Sequence, residues 1–558
     1  MSVMSFQNIK NKSHARLFFL NPKLFFSKAK RKIETFGREF FIDPDTRAFI
    51  DHNRKVWRGF SSRDSDKVIL TDFHNLTELN VASCYFMNVL ARKHTARIVS
   101  FGRSRSLLAR GVHAVYCSFN GQEHLATGVL TLKQKRRRDR IVRDIIGTLK
   151  NKKDVFDITV DGIPIGMDVY ETYLKEFNKP TVQLDQGLFA VIQWAVGSLI
   201  VLQDYLNRRE VCAVVLSHDA YVHYNILARI AYQKKIPVYL PDFFHAVLAQ
   251  RPFSVTSRFK SYPSWFENLD ASEQRQAVEL ARRQLEKRFS GKAEGDILYG
   301  AASPFGLAQK QQRVLKTSDR IKVLICSHCF FDNPHAYGGM IFLDFYEWLK
   351  FLAGMAKKTD YDWYLKTHPD PLPGTLETIR DILGNDSAIT ILPPETPHHQ
   401  LVREGIDVVL TVYGTVGHEY PAFGVQVVNA GYNPHVAFDF TWTPKDIKEY
   451  EQYLLGLPHL KKNIDKEEIY RFYFMHYYYC RIDDLVYDSY RQFTTDLTPR
   501  ERISSRAYAY FLKTWTPAKH ARIIERYCDF IDSGKQYLFM KGPVDEQVAY
   551  AKEVGYLS

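Results

Sequence analysis

Cysteine is scarce. The 558 residues hold seven, an odd and scattered set running from Cys84 to Cys528. That excludes the disulfide framework of a small secreted scaffold and points to a reducing compartment. Cys326 and Cys329 make a Cys-x-x-Cys around Ser327 and His328, but no second ligand pair follows at finger spacing, so no metal site is expected. Long apolar runs are missing too. The most apolar stretch, "LFAVIQWAVGSLIVL" at 188–202, is shorter than the ~20 residues a bilayer needs and reads as a buried helix. The opening "MSVMSFQNIKNKSHARLFFLN" has no clean apolar segment ahead of a small-residue cleavage site, so no signal peptide is expected. Short-period repeats are absent. Acidic residues are outnumbered, 62 against 76 Lys and Arg, for a net charge of +14. This balance favours a polyanionic partner: nucleic acid, an acidic lipid surface or phosphorylated substrates. No RNP-like or other nucleic-acid motif accompanies the charge, so nucleic acid is not the expected partner.

Hydrophobic residues at 45% and charged residues at 25% fit a folded protein and exclude disorder on a large scale. A single core rarely grows past ~250–300 residues, so at least two folded units are expected.

Residues 1–62 stand apart. "NPKLFFSKAKRKIETFGREFF" interleaves Phe25, Phe26, Phe36, Phe40 and Phe41 with Lys23, Lys28, Lys30, Arg31 and Lys32. Such a mixture suits either an anionic headgroup layer or a basic amphipathic helix packed on its own protein. From Lys67 the pattern becomes strand, loop, helix. "KVILTDF" and "ARIVSFG" are strands. "VCAVVLSHDAYVHYNILARIAYQKKIPVYLPD" is a β-α-β unit with strands over 211–216 and 236–240 and a helix over 221–233. "LKQKRRRDRIVRD" is a dense basic run, either a solvated helix face or a binder of phosphate or acidic polymer. Residues 254–320 are polar and helical and end in a linker near "AASPFGLAQKQQR". A second series follows, with strands at "IKVLICS", "WYLK", "AITIL", "DVVLTV" and "VQVVNAG" and a helix from Gly339 to Ala356. From Lys466 the chain reads as helical and aromatic. Apolar runs alternating with helices argue for parallel sheets. The expected architecture is therefore α/β: two tandem Rossmann-like, doubly wound units with a helical C-terminal tail. Their bounds are 1–62 for the basic aromatic arm, 63–305 for the acceptor-side unit, 306–465 for the nucleotide-binding unit, and 466–558 for a tail packing back across both.

Ligands of doubly wound sheets bind beyond the carboxyl ends of strands, so the chemistry is sought there. "IKVLICS" runs into "HCFFDNPHAYGGM", which gathers His328, Asp332, Asn333 and His335 on one loop. "WYLKTHPD" ends a strand on Lys366 and His368, two phosphate-binding groups aimed by Pro369. "DVVLTVYGTVGHEY" brings Gly414 and Thr415 to the start of a short helix, an anion site by its outward N–H groups. Glu419 follows one turn later on the same face and suits a ribose diol. In the first series "LSHDAY" puts His218 and Asp219 at a strand exit as candidate general bases, with His74 a weaker one.

"HCFFDNPHAYGGMIFLDFYEWL", "WYLKTHP" and "YGTVGHEYPAFG" resemble bacterial capsule and surface-polysaccharide biosynthesis glycosyltransferases of GT-B type. The group's His-Pro and Ser/Thr motifs recur in polysialyltransferases, Kdo transferases and polyol-phosphate polymerases. "DGIPIGMDVYETYL" and "FYFMHYYY" are similar to segments of the same group, so the likeness spans about residues 160–480. The resemblance implies that His368 and Thr415 hold the donor phosphates and Glu419 the ribose, while His328, Asp332 and His335 line the donor side. It implies a nucleotide-sugar donor, a CMP-linked acid sugar before others, and a glycan or lipid-linked acceptor. No cofactor beyond the donor is implied. Two departures stand out: Gly417 follows Gly-Thr-Val, and His418 precedes the glutamate. No Asp-x-Asp pair stands at a strand exit, in keeping with transfer in which cationic and helix-terminal donors meet the leaving phosphate. The expected place of work is the cytoplasm, against the inner membrane through the 1–62 arm. A CDP-polyol phosphotransferase of the same fold and a non-catalytic polyanion-binding protein are the alternatives.

Overall fold

The computed structural model describes residues 42–72, 77–103, 110–242, 245–291, 305, 312–368, 371–479, 486–487, 493 and 496–539. Short apolar runs become the central strands here, with side chains from both faces buried in packed cores. In chain order the strands are β1 (Lys67–Asp72), β2 (Arg97–Gly102), β3 (Gly121–Ala126), β4 (Thr159–Val160), β5 (Ile163–Pro164), β6 (Glu210–Val215), β7 (Val238–Pro241), β8 (Ala246–Ala249), β9 (Lys322–Cys326), β10 (Asp362–Lys366), β11 (Ile389–Ile391), β12 (Val408–Thr411), β13 (Gln426–Asn429) and β14 (Tyr537–Leu538).

Two large sheets result. The first has the order β14-β8-β7-β6-β1-β2-β3, the second β11-β10-β9-β12-β13, and β4-β5 is a separate hairpin. Neighbours are parallel throughout the second sheet and from β3 to β7 in the first. β8 and β14 run antiparallel at the edge. Alternate residues feed opposite cores. Val68, Leu70 and Val214 pack on one face of the first sheet, while Ile69, Ala213 and Val215 pack on the other. Val323, Ile325 and Leu410 face one side of the second sheet, and Leu324, Tyr364 and Val409 the other. Each sheet therefore reverses strand order beside its first strand, at β1/β6 and at β9/β12, which are the crevices where doubly wound sheets take ligands.

The 188–202 run lies in helix Gln186–Arg208, capped by Asp185. It is the one helix among the described residues long and apolar enough to cross a membrane, and 61% of its most apolar window is buried within the fold.

Four expectations need correction. The 1–62 arm is not separate throughout: Asp43 caps helix Pro44–Val56, and Phe49, Ile50 and Trp57 are buried in the first sheet's core. The basic aromatic run at 21–41 lies outside the described residues. The helix placed at Gly339–Ala356 instead spans Phe345–Lys358, because Gly338 and Gly339 take positive φ values of 72° and 61° and Asp344 supplies the N-cap. Helix Ala271–Phe289, assigned to the acceptor-side unit, shares a core with Phe438, Phe440, Ile469 and Phe472 of the later chain. The tail is not wholly helical. Its helices Arg506–Thr514 and Pro517–Ser533 bury Tyr508, Phe511, Tyr527 and Phe530 on the first sheet, and β14 then joins that sheet's edge.

Candidate functional site

β6 leaves the first sheet beside β1, and the chain beyond it splits two neighbouring side chains. Ser217 donates from N (3.0 Å) and from Oγ to Asp72 Oδ2, and His218 Nδ1 meets Ser217 Oγ at 2.8 Å. His218 is thus turned toward β1, with its ring stacked on Tyr224 at 5.1 Å. Asp219 lines a narrow pocket of about 300 Å³ of unfilled space, open mouth included.

Both sheets contribute to that pocket. Helix Gly166–Phe177 brings Asp168 and Glu171, one turn apart, and helix Ile226–Gln233 brings Arg229. The loop after β9 brings Asn333 and His335. Arg229 pairs with Asp168, its Nη2 3.3 Å from Oδ1, and Asn225 Nδ2 donates to the same oxygen at 2.8 Å. His335 Nδ1 lies 3.2 Å from Glu171 Oε1, and both side chains are buried. Burial pushes the Asp168 carboxyl above its ordinary value although Arg229 opposes it. Burial likewise pushes Glu171 up against the pull of His335. Burial raises Asp219, and the charge of Asp168 adds to the shift while Arg229 opposes it. Three carboxylates thus crowd one guanidinium and one imidazole, a setting that makes a carboxylate a stronger base when ionised.

The backbone around the pocket is strained. Tyr221 and Phe253 both have φ of +63°, the left-handed region that bulky residues avoid. Tyr221 opens a single π turn, Tyr221–Asn225, where the sequence reads as continuous helix. Its hydroxyl donates to Asp332, which also pairs with Lys175 at 3.6 Å. Asp332 therefore belongs to the exposed rim, and this contact joins the two halves of the chain.

At the β9/β12 crevice His328 acts on the backbone. Its Nε2 accepts from Val412 N–H at 3.1 Å and lies 3.0 Å from Thr411 Oγ1, while Gly414 N–H donates to that same hydroxyl at 3.1 Å. Burial pushes its pKa down to about 3, so the ring is neutral and this network holds the Gly414 turn. Thr415 takes helical dihedrals at the start of Val416–Glu419 and makes no side-chain cap. Gly417 is glycine for a steric reason: a Cβ there would stand 2.4 Å from His435 Cε1. Glu419 is fully buried, and its Oε1 accepts from Arg288 Nε at 2.8 Å and Nη2 at 2.5 Å. Its Oε2 is buried with no hydrogen-bond partner among the described residues. Lys366 is only 3% exposed, pushed down by burial and partly restored by Cys326, Glu395 and Glu419. His368 is exposed at the exit of β10. Burial pushes the Cys326 thiol up to about 12. Among the described residues no group of three or more His, Cys, Asp or Glu side chains could hold a metal ion.

The candidate residues therefore form two groups. Asp219 and His335 share the pocket, with Asp332 at its rim. Lys366, Gly414, Thr415 and Glu419, steadied by His328, gather at the β10 and β12 exits with His368. His218 joins neither. His74 and Pro369 lie outside the described residues.

No family model and no curated protein matches the sequence. Among solved structures, the Thermosulfurimonas dismutans KpsC β-Kdo 2,4 transferase is 11% identical, covers 47% of this chain and 79% of its own, and gives a TM-score of 0.31. A Neisseria meningitidis UDP-GlcNAc 2-epimerase bound to UDP-GlcNAc is 14% identical over 74% of this chain and 96% of its own, with a TM-score of 0.23. A putative UDP-N-acetylglucosamine 2-epimerase from Listeria monocytogenes is 11% identical over 73% and 90%, with a TM-score of 0.19. These superpositions are loose, and the chemistry of the site rests on this chain's own geometry.

Asp168, Glu171 and Arg229 are absent from the sequence-based candidates. A signal was available. Asp168 and Glu171 sit at i, i+3 within the otherwise apolar and aromatic "GMDVYETYL", and Arg229 interrupts the apolar "NILARIAYQ". Charges on a face that must be buried imply partners.

Proposed function

We propose that the protein is a glycosyltransferase of GT-B type that moves a sugar from a nucleotide-activated donor to a surface glycan or lipid-linked acceptor. The observation that carries this reading is the pocket shared by the two halves, in which desolvated Asp219 and Glu171 face the loop after β9. In the transfer, the acceptor oxygen bonds to the sugar's anomeric carbon as the bond from that carbon to the phosphate oxygen breaks. The acceptor proton passes to Asp219, whose raised basicity suits the task. His335, held by Glu171, orients the sugar.

The donor phosphates lie over the exits of β10 and β12, near His368 and Thr415, with buried Lys366 adding positive charge from beneath, while the Gly414 N–H is already taken by Thr411 Oγ1. Glu419, the ribose ligand on the motif resemblance, is fully buried against Arg288, so a ribose hydroxyl engages its Oε2 only when that enclosure opens. Asp332, held by Tyr221 and Lys175, stands beside the pocket on the same loop as His335. A CMP-linked acid sugar is the favoured donor on the motif resemblance.

A thermal-shift panel of CMP, CDP, UDP and GDP tests the reading first. A nucleotide at 100 times its dissociation constant adds about 2.7 kcal/mol of stability. Product analysis then separates a glycosidic linkage from the phosphodiester of a polyol-phosphate transferase. If no nucleotide stabilises the protein, and Asp219→Asn and Glu171→Gln leave turnover untouched, the reading is wrong.

A further inference from the structure

The first sheet carries a second feature at its carboxyl edge. β3 ends at Ala126, and Thr131 starts helix Leu132–Thr148 with a reciprocal capping box to Gln134. Val129 and Leu132, on either side of that cap, are 69% and 75% exposed, the two most exposed large apolar side chains among the described residues. The box fixes the first turn, so Leu132 is held outward.

The helix is strongly basic. Arg137 pairs with Asp161 at 2.7 Å and Arg138 with Asp139 at 2.7 Å, and both arginines are half-buried. Lys133, Lys135, Arg136, Arg140 and Arg143 are exposed, as are Asp139 and Asp144, leaving a clear cationic excess of five to two. Leu132, Arg136, Arg140 and Arg143 follow at i, i+4 and i+3 spacing and form one stripe with Lys133 beside it. On the opposite face Val142 is buried, and Ile141, Ile145 and Ile146 pack into the first sheet's core. One side of the helix is thus anchored, and the other pairs a cationic stripe with an apolar tip.

We propose that this face docks on an anionic lipid bilayer. Lys133, Arg136, Arg140 and Arg143 meet headgroup phosphates, and Val129 and Leu132 enter the acyl boundary. Cationic charge alone would serve a soluble polyanion equally well. The apolar pair favours the bilayer, because only a bilayer offers those side chains an apolar phase. β3 is parallel to β2, β1 and β6. Val129 therefore leaves the sheet at the same edge as Asp219, and, if the proposed function holds, docking turns the pocket's edge toward a lipid-linked acceptor.

The test uses the full chain with vesicles of phosphatidylcholine and phosphatidylglycerol in equal parts, against pure phosphatidylcholine and soluble polyphosphate. Sedimentation with the anionic vesicles is expected for the unaltered protein. Val129→Ser with Leu132→Ser lowers partitioning by about tenfold. Lys133→Glu, Arg136→Glu and Arg140→Glu together lower it by at least about a hundredfold. A Leu132→Trp variant reads the face directly: its added emission shifts to the blue and is quenched by brominated acyl chains, and polyphosphate produces neither change. Vesicle binding without quenching of that tryptophan would overturn the proposal, since another part of the chain would then be the anchor. So would quenching unaffected by the triple charge reversal, or a polyphosphate response equal to the vesicle response. None of these readouts involves nucleotide or turnover, so the proposal stands or falls apart from the enzymatic reading.

Discussion

Arg288 and Glu419 offer the sharpest test of how the second crevice is held. They lie 131 residues apart in sequence, yet Glu419 is fully buried and Arg288 only 13% exposed at the side chain. Two charge-assisted hydrogen bonds converge on one carboxylate oxygen. Burial opposes the charge on Arg288, but Glu419, Tyr473 and Tyr477 together raise its pKa. Removing one partner strands a charge in an apolar interior, at a cost of about 3–5 kcal/mol. A loss of that size lowers the melting temperature of a unit this large by on the order of 10 °C. Arg288→Met and Glu419→Met are each expected to show it. The double variant, with two apolar side chains of similar reach, is expected to recover most of the loss. Calorimetry on the four proteins gives the coupling, which we expect to exceed about 2 kcal/mol. If Arg288→Met costs as much in the Glu419→Met background as in the native one, the pair does not hold the crevice.

Glu171→Gln is expected to stabilise the protein near neutral pH while lowering turnover. A carboxyl whose folded pKa is raised binds its proton more tightly in the folded state. Its ionisation therefore costs stability as pH rises from about 4.5 toward the raised value, by about 1.4 kcal/mol for each pH unit between the two. Melting curves of both proteins against pH check this, and the gap should close below about pH 4.5. Acid acts in the opposite sense on His328 and His435, both pushed down to about 3 by burial. Their contribution is complete above about pH 6.5 and is lost as pH falls toward 3, by up to about 5 kcal/mol each, so His328→Gln should flatten the acid limb of a stability profile. His368→Ala, at an exposed position, should weaken nucleotide binding about tenfold while leaving the melting temperature without nucleotide unchanged. Asp219→Asn should abolish the acidic limb of the kcat/KM pH profile with nucleotide affinity retained.

The strands of the second sheet were legible because each is a short apolar run between turns. "IKVLICS", "WYLK", "AITIL", "DVVLTV" and "VQVVNAG" all contain strands. β3, "GQEHLA", was not, since a polar edge strand carries no such pattern. β8 and β14 were missed because their antiparallel pairing depends on partners far away in sequence. The same limit applies to the site. Strand exits can be located one by one, which places Asp219 after β6 and His335 on the loop after β9. The contacts that give them an environment span 164 residues for His335 with Glu171 and 61 for Arg229 with Asp168, and no local pattern encodes them. Burial also changed roles. A lysine at a strand exit reads as an open phosphate ligand, but Lys366 is enclosed, and His328 turned out to brace a turn from within.

The seam between β8 and β14 bears on how the chain is made. Leu248 N–H bonds to Gln536 O at 2.8 Å, and Tyr537 hydroxyl donates to Ser254 O at 3.0 Å. The edge of the sheet laid down first is thus closed by residues translated almost three hundred positions later. Until they emerge from the ribosome, β8 presents an open ladder and the surface awaiting Phe511, Tyr527 and Phe530 stays wet. Nascent chains stopped near residue 500 should therefore engage chaperones or aggregate, whereas those released beyond residue 538 should not.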